Sequence, residues 1–252
     1  MKLEGKSVVL TGASSGMGRY MAGVFANEGA NLVVIARRGE LLDTLAEELK
    51  DAPGTVIPFA GDVRKEEDCE AAIDLAVEKF GKLDILINNA GVMDDLSPIG
   101  ELKDEVMTTV FETNVYGPLY TMRKAVKVFL EQKNGGNIIN IASLGAIHQT
   151  AGVTYAASKA AVIAMTKNTA FMYMPDKIRC NAIAPGRIDT GIMTMGGLPN
   201  LPGYLRAKHI FALGPEAGQS EHIAAAALFL ASDDSAYVNG DVLVVDGGWG
   251  TI

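Results

Sequence analysis

Four tyrosines in this chain are each followed four residues later by a lysine: Tyr120 and Lys124, Tyr155 and Lys159, Tyr173 and Lys177, Tyr204 and Lys208. On a helix that spacing puts phenol and ammonium on one face, where the cation can stabilise a phenolate and the pair can move a proton at an oxygen. A free tyrosine titrates near 10, so work near neutrality asks for a pKa lowered by roughly 2 to 3 units, about 3 to 4 kcal/mol. An ammonium at about 4 Å in an effective dielectric of 20 supplies on the order of 4 kcal/mol as an upper estimate. Spacing alone does not choose among the pairs, so position must. Tyr204 falls in an irregular Gly- and Pro-rich stretch, Tyr173 precedes Pro175 where a helix should stop, and Tyr120 sits well inside a helix begun near Asn114. Tyr155 follows closely on a strand end at Ser143, which makes Tyr155 and Lys159 the expected reacting pair.

A second cluster is Thr11-Gly12-Ala13-Ser14-Ser15-Gly16-Met17-Gly18, between an apolar run and a helical pattern from Met17 to Asn27. Glycines let the backbone pass close to a pyrophosphate, and the free amides and dipole of a helix start attract the anion. A plain tight turn would use the same residue types, but a place between the first strand and the first helix is what dinucleotide binding needs. About twenty residues on, a protein preferring NAD offers Asp or Glu to the adenine ribose. This chain has Ile35-Ala36-Arg37-Arg38 there. Two guanidinium groups and no carboxylate favour a 2′-phosphate, hence NADP(H), with NAD(H) possible. One such contact is worth roughly 1.5 to 3 kcal/mol, about 10- to 150-fold in preference. Solvent-exposed arginines at a helix start are the alternative. Asp62, followed by Val63, is placed either to hydrogen-bond the adenine ring or to cap the next helix.

Elements must bring these groups together. Short runs rich in Val, Ile and Leu lie near 7-11, 31-36, 55-60, 83-88, 136-142, 178-184 and 241-245, as parallel strands buried on both faces should. Helical patterns lie between them, such as Leu41, Leu42, Leu45, Ala46 and Leu49 at spacings of 3 and 4. The alternation predicts an α/β fold: a single doubly wound Rossmann-type domain over residues 1–252, with a seven-stranded, mainly parallel sheet and helices on both faces. The strand-like runs end in Thr11-Gly12, Arg37-Arg38, Asp62, Asn88-Asn89-Ala90-Gly91, Ser143, Pro185-Gly186 and Asp246-Gly247-Gly248. In an open parallel sheet the carboxyl ends share one edge, which is where such folds bind ligands. The polar ends should therefore converge on one crevice.

Composition bounds what the crevice can serve. At 252 residues and 48% hydrophobic the chain can bury a sizeable core, which excludes a disordered or fibrous reading. A net charge of -8 argues against nucleic acid or an anionic membrane surface as partner, since both need a basic face. The first apolar run is too short for a signal peptide core and no stretch reaches the ~18 apolar residues of a membrane span, so a cytoplasmic location is expected. Cys69 and Cys180 are isolated, and neither a disulfide nor a reactive thiol is expected. His209 and His222 show no ligand spacing with either cysteine, and no metal is expected.

With these motifs in order, the chain resembles the short-chain dehydrogenase/reductase family, in its branch of about 250 residues. The resemblance covers the whole length: Thr11-Gly12-(x)3-Gly16-x-Gly18, Asn88-Asn89-Ala90-Gly91, Asn114, Ser143, Tyr155-(x)3-Lys159 and Pro185-Gly186. It implies hydride transfer between a nicotinamide cofactor and a carbonyl or secondary alcohol. Tyr155 would be the general acid or base, Ser143 would hydrogen-bond the same oxygen, and Lys159 would bind the nicotinamide ribose and lower the Tyr155 pKa. Asn114 would hold a water linking Lys159 to solvent. Asn88, Asn89, Ala90 and Gly91 would wall the cofactor, and Pro185, Gly186, Ile188 and Thr190 would meet the nicotinamide. Members preferring NADP often carry arginine at the position of Arg37, and some a further basic residue where this chain has Ser15. The interval from Ser143 to Tyr155 is one residue shorter than is common, which bears on the substrate wall and His148.

Residues 187–218, with many glycines and prolines and no clear element, are expected to form a substrate lid. Ile192, Met193, Met195, Leu198, Leu201, Ile210 and Phe211 make it apolar and adaptable, suited to a hydrophobic ketone or hydroxysteroid. Met193, Met195 and His148 are candidate substrate contacts, although a solvent-facing His148 is the favoured reading. A 3-oxoacyl-thioester reductase, a sugar dehydrogenase or a catalytically silent dinucleotide sensor are the alternatives. Helical segments from Thr113 to Lys133 and Gly152 to Met174 are apolar over wide arcs, which suggests a partner surface; the resemblance points to a homotetramer.

Overall fold

The computed structural model describes residues 1–191 and 198–251. Its strands are β1 (Ser7–Thr11), β2 (Asn31–Ala36), β3 (Val56–Ala60), β4 (Ile85–Asn88), β5 (Gly136–Ile141), β6 (Ile178–Pro185) and β7 (Val242–Val245). They form one seven-stranded sheet in the order β3-β2-β1-β4-β5-β6-β7, with parallel pairing throughout. The order reverses at β1, which pairs with both β2 and β4, so a crevice must open above its carboxyl end.

The helices are α1 (Gly16–Asn27), α2 (Gly39–Glu48), α3 (Glu66–Phe80), α4 (Asp104–Phe111), α5 (Gly117–Gln132), α6 (Val153–Met172), α7 (Leu201–Leu213) and α8 (Ser220–Ala231). They cover both sheet faces because successive strand residues point to opposite sides. Val8 and Leu10 of β1 pack in one core with Phe25 of α1 and Leu230 of α8, while Val9 packs in the other with Ile73 of α3 and Phe129 of α5. Local signals set the helix ends: α3 opens with Glu66, Glu67 and Asp68 against its positive dipole end and stops at Gly81, at φ 77.

Two expectations are corrected. The helix thought to begin near Asn114 begins at Gly117, preceded by a wide turn over Glu112–Tyr116 in which the Gly117 N–H reaches back to the Glu112 carbonyl. The reason is Pro118, which has no N–H to offer the Asn114 carbonyl four residues back, so the ladder widens there. The segment 187–218 is not structureless either, since it holds α7, with Tyr204 inside it. Asn200 caps α7 by accepting the Gly203 N–H at 2.8 Å, and Pro202 sits in the first turn, where a missing N–H costs nothing. A bridge between Ile188 and Gly218 closes the base of the segment.

Candidate active site

The glycine loop and the turn after β4 interlock. Thr11 Oγ1 accepts the N–H groups of Asn89 and Ala90, both at 3.0 Å, and Asn89 Nδ2 donates to the carbonyls of Thr11 and Gly12 at 2.9 and 3.1 Å. The approach is so close that a Cβ at Gly18 would overlap the Gly12 carbonyl, and one at Gly12 would lie 2.7 Å from Ala90 Cα. Above this seam lies a cleft of about 410 Å³. Gly12, Ser14, Ser15, Gly16, Met17, Gly18, Arg37, Arg38, Asp62, Val63, Asn89, Ala90, Gly91 and Thr190, all expected at the cofactor, line it.

The residues present fit a dinucleotide. Ser15, at the start of α1, is extended and makes no side-chain cap, so the first-turn amides of the helix face the cleft as an anion site. Arg38 Nη2 reaches Ser14 Oγ at 3.2 Å and Ser15 Oγ at 3.5 Å, which brings its guanidinium over the loop. Asp62 does not cap the next helix, whose cap is Lys65. Its carboxylate is instead gripped by Arg64 Nε at 2.9 Å and Nη2 at 2.6 Å, and this hydrogen bonding, with Arg37 nearby, holds it below the usual carboxylate range.

The expected reacting residues meet at the Gly91 end of the cleft. A Cβ at Gly91 would lie 3.3 Å from Lys159 Nζ and 3.4 Å from Asn114 Oδ1. Tyr155 and Lys159 lie on one face of α6, both buried, with the ammonium 5.7 Å from the Tyr155 ring centroid. Lys159 Nζ donates to the Ile141 carbonyl at 2.8 Å. Ser143 is extended at the end of β5 and accepts the Gly145 N–H at 3.0 Å, with its hydroxyl near enough to the Tyr155 phenol to favour the phenolate. Two hydroxyls side by side at a cleft end can hold one carbonyl oxygen and pass it a proton.

The phenol differs from expectation. Burial pushes Tyr155 up to about 12, the neighbouring Ser143 hydroxyl opposes this, and the charge of Asp94 adds to it. Lys159 does not bring the phenol down because its ammonium stands over the ring face and is itself driven down to about 8 by burial. Burial is the leading cause of both shifts.

Asn114 is fixed by its side chain. Its Oδ1 accepts the Val92 N–H at 2.9 Å while its Nδ2 donates to the Val92 carbonyl at 2.9 Å and to Ser158 Oγ at 3.1 Å. The side chain is thus occupied in clamping the chain after Gly91. Ser158 in turn donates to the Tyr155 carbonyl at 2.7 Å, a link no motif announced. Asn88 does not wall the cleft: it bonds Asn140 Oδ1 at 2.9 Å and accepts from Thr121 at 2.6 Å beneath the sheet edge.

Pro185 ends β6 opposite Val245, Gly186 packs against Asp246, and Ile188 packs on the core, so these residues support the crevice floor without lining the 410 Å³ cleft. His148 is half-buried. It borders a separate cleft beside α7, where a Cβ at Gly250 would lie 3.3 Å from its Nε2. Ile192, Met193 and Met195 lie outside the described residues. Cys69 and Cys180 are buried thiols pushed up to about 12 by burial.

Comparison with known proteins matches residues 12–250 to a family model described as Enoyl-(Acyl carrier protein) reductase. The chain is 41% identical to a 3beta-hydroxysteroid dehydrogenase 2 of Eggerthella lenta, over 98% of this chain and 95% of that protein. It is 38% identical to a 3-oxoacyl-acyl-carrier-protein reductase, FabG, of Thermotoga maritima, over 98% and 99%. Its fold superposes on the crystal structure of a short-chain type dehydrogenase/reductase from Mycobacterium marinum with a TM-score of 0.85 at 30% identity, covering 98% of this chain and 96% of the other.

Proposed function

The chain belongs to the short-chain dehydrogenase/reductase family, whose members act on CH–OH or C=O groups with a nicotinamide dinucleotide, and we propose that it interconverts a hydrophobic, steroid-like ketone and its secondary alcohol with NADP(H). The observation that carries this reading is the buried Tyr155 and Lys159 on one face of α6, with Ser143 beside the phenol, at the Gly91 end of the loop-lined cleft. The bound nicotinamide supplies or accepts the hydride. Tyr155 gives its proton to the carbonyl oxygen in reduction and takes it back in oxidation, and Ser143 holds that oxygen in place. Lys159, close enough to neutrality to carry or release a proton, reprotonates the phenol. The Asn114 carbonyl, denied its helical donor by Pro118, is the group on that residue suited to hold a water at Lys159.

Arginine chemistry supports NADP over NAD. Arg38 stands on Ser14 and Ser15, Arg37 lies exposed beside it, and the one carboxylate among the residues lining the cleft, Asp62, is occupied by Arg64. The 41% identical hydroxysteroid dehydrogenase supports the substrate class, as do the exposed lid residues Leu198, Leu201 and Leu213, at 93%, 65% and 66%. We read residues 1–252 as one catalytic domain with a lid at 187–218, in a cytoplasmic homotetramer. Exposed Leu119 and Leu130 of α5 and Phe171 and Met172 of α6 support the assembly, which light scattering tests.

Cofactor oxidation tests the reading directly. NADPH and NADH are compared against steroidal ketones, 3-oxoacyl thioesters and ketoses, with Tyr155→Phe as control. Turnover of steroidal ketones with NADPH, abolished in the control, is the expected result. Turnover of the thioesters alone reassigns the substrate, and tight cofactor binding without any turnover makes the protein a dinucleotide sensor.

A further inference from the structure

One buried acid takes no part in this mechanism. Asp94, in the loop after β4, is 6% exposed. Its Oδ2 accepts the backbone N–H of Tyr155 at 2.9 Å, and its Oδ1 that of Leu96 at 3.2 Å. Tyr155 lies in the first turn of α6, where a helix leaves its amides without internal partners and its dipole favours a negative charge. The residue at the cap position is Gly152, which has no side chain to offer. Nor could it have one, since a Cβ there would overlap the Asp94 carboxylate. A distant loop therefore caps the helix that carries the reacting tyrosine.

The same loop is held from its other side by the lid. The Asn200 N–H donates to the Asp95 carbonyl at 2.6 Å, and Asn200 Nδ2 to Glu101 Oε2 at 2.9 Å. Leu96 adopts φ 62, a left-handed conformation that a leucine keeps only where its surroundings dictate it. Its N–H is tied to Asp94, and its carbonyl presses on Gly203 of α7 so closely that a Cβ would overlap it. Loop 94–96 is thus a bracket between lid and catalytic helix.

We propose that Asp94 is a positioning residue: through the Tyr155 backbone N–H it sets where the Tyr155 hydroxyl stands, and its loop makes that position depend on the docking of α7. The inference rests on Tyr155 being the proton donor. Among the described residues, the charged groups that face Tyr155 are Asp94 from this loop and Lys159 from its own helix, with the neutral Ser143 hydroxyl between strand and helix. Asp94 raises the phenol, so removing its charge must lower it.

Three variants test this. Asp94→Asn keeps an acceptor and loses the charge, Asp94→Ala loses both, and Asn200→Ala releases the lid seam. Misplacing a reacting group by about 1 Å costs up to 100-fold, so Asp94→Ala is expected to lower kcat by about 10- to 100-fold with the Kd for NADP+ unchanged. Asp94→Asn is expected to retain most of kcat while its pH–rate limb moves to lower pH. Asn200→Ala is expected to lower kcat as well as raise KM; a rise in KM alone removes the lid from the proposal. Carbon-13 NMR of tyrosine-labelled protein, with the Tyr155 resonance identified by Tyr155→Phe, follows the phenol without turnover. A lower midpoint in Asp94→Asn upholds the link to Tyr155 even if no carbonyl is reduced, in which case only the assigned reaction fails. An unmoved midpoint together with an unchanged kcat in Asp94→Ala leaves Asp94 a cap and nothing more.

Discussion

The two sides of the crevice are built by different means. On the cofactor side most contacts come from a strand and the turn that follows it, and the turns are tied by side chain to backbone, as the Thr11 hydroxyl ties the N–H groups of Asn89 and Ala90. On the side proposed for the substrate the wall joins segments far apart in sequence: Leu96 presses on Gly203, Asn200 bonds Asp95, and Gly214 lies against the Trp249 ring. A cofactor that does not vary can be held by local units of fixed geometry. A substrate is selected by loops whose positions depend on one another.

The comparison can be broken at the point where the two sides meet. Tyr155→Phe removes a proton and leaves the packing, so turnover should fall about 1000-fold while NADP+ binding, read by fluorescence titration, stays within about twofold. Equal losses in both would mean that the site is not divided as described.

Next in size is the cost of burying Lys159 for that chemistry. Its pKa falls from 10.5 unfolded to about 8 folded, so between those values the unfolded chain holds a proton that the folded protein has released. Stability should therefore rise with pH across that window, by at most about 3 kcal/mol. Urea unfolding from pH 8 to 10 should show the rise in the parent and lose it in Lys159→Met. Parallel curves would contradict the burial argument.

Gly18→Ala sharpens the cofactor side. Its Cβ overlaps the Gly12 carbonyl, so cofactor affinity should drop about 100-fold, or ~2.7 kcal/mol. Gly23→Ala, on the same helix with only Leu49 at 3.9 Å, should leave affinity alone and raise stability by about 0.5 to 1 kcal/mol in urea melts. A smaller effect than at Gly18 is expected at Arg38, where Arg38→Ala should cut the NADPH over NADH ratio of kcat/KM by about tenfold. A ratio that falls instead in Arg37→Ala would transfer the phosphate to that residue.

Much of this molecule was legible in advance, and unevenly. The β1 and β2 runs match their predicted bounds, because Val8-Val9-Leu10 and Leu32-Val33-Val34-Ile35 are short, Val- and Ile-rich apolar runs of the kind a parallel strand buried on both faces needs. Tyr155 could be chosen from four equivalent pairs because its place after a strand end is a local fact. Residues 187–218 read as irregular in the sequence because Gly and Pro flank α7 and enter its first turn, where they are compatible with a helix. Asp94 was not singled out at all. An aspartate in an Asp-Asp-Leu-Ser loop carries no signal until Gly152 is brought against it across the fold.

The order of strands and helices, the edge where function must lie and the chemistry of its residues all follow from the sequence, since they depend on neighbours along the chain. How acidic the Tyr155 phenol is, which group on Asn114 is available, what caps α6 and what the lid leans on were decided only by the tertiary structure. Those properties depend on desolvation and on contacts a few ångströms long, and both are set by whichever distant segment packs there.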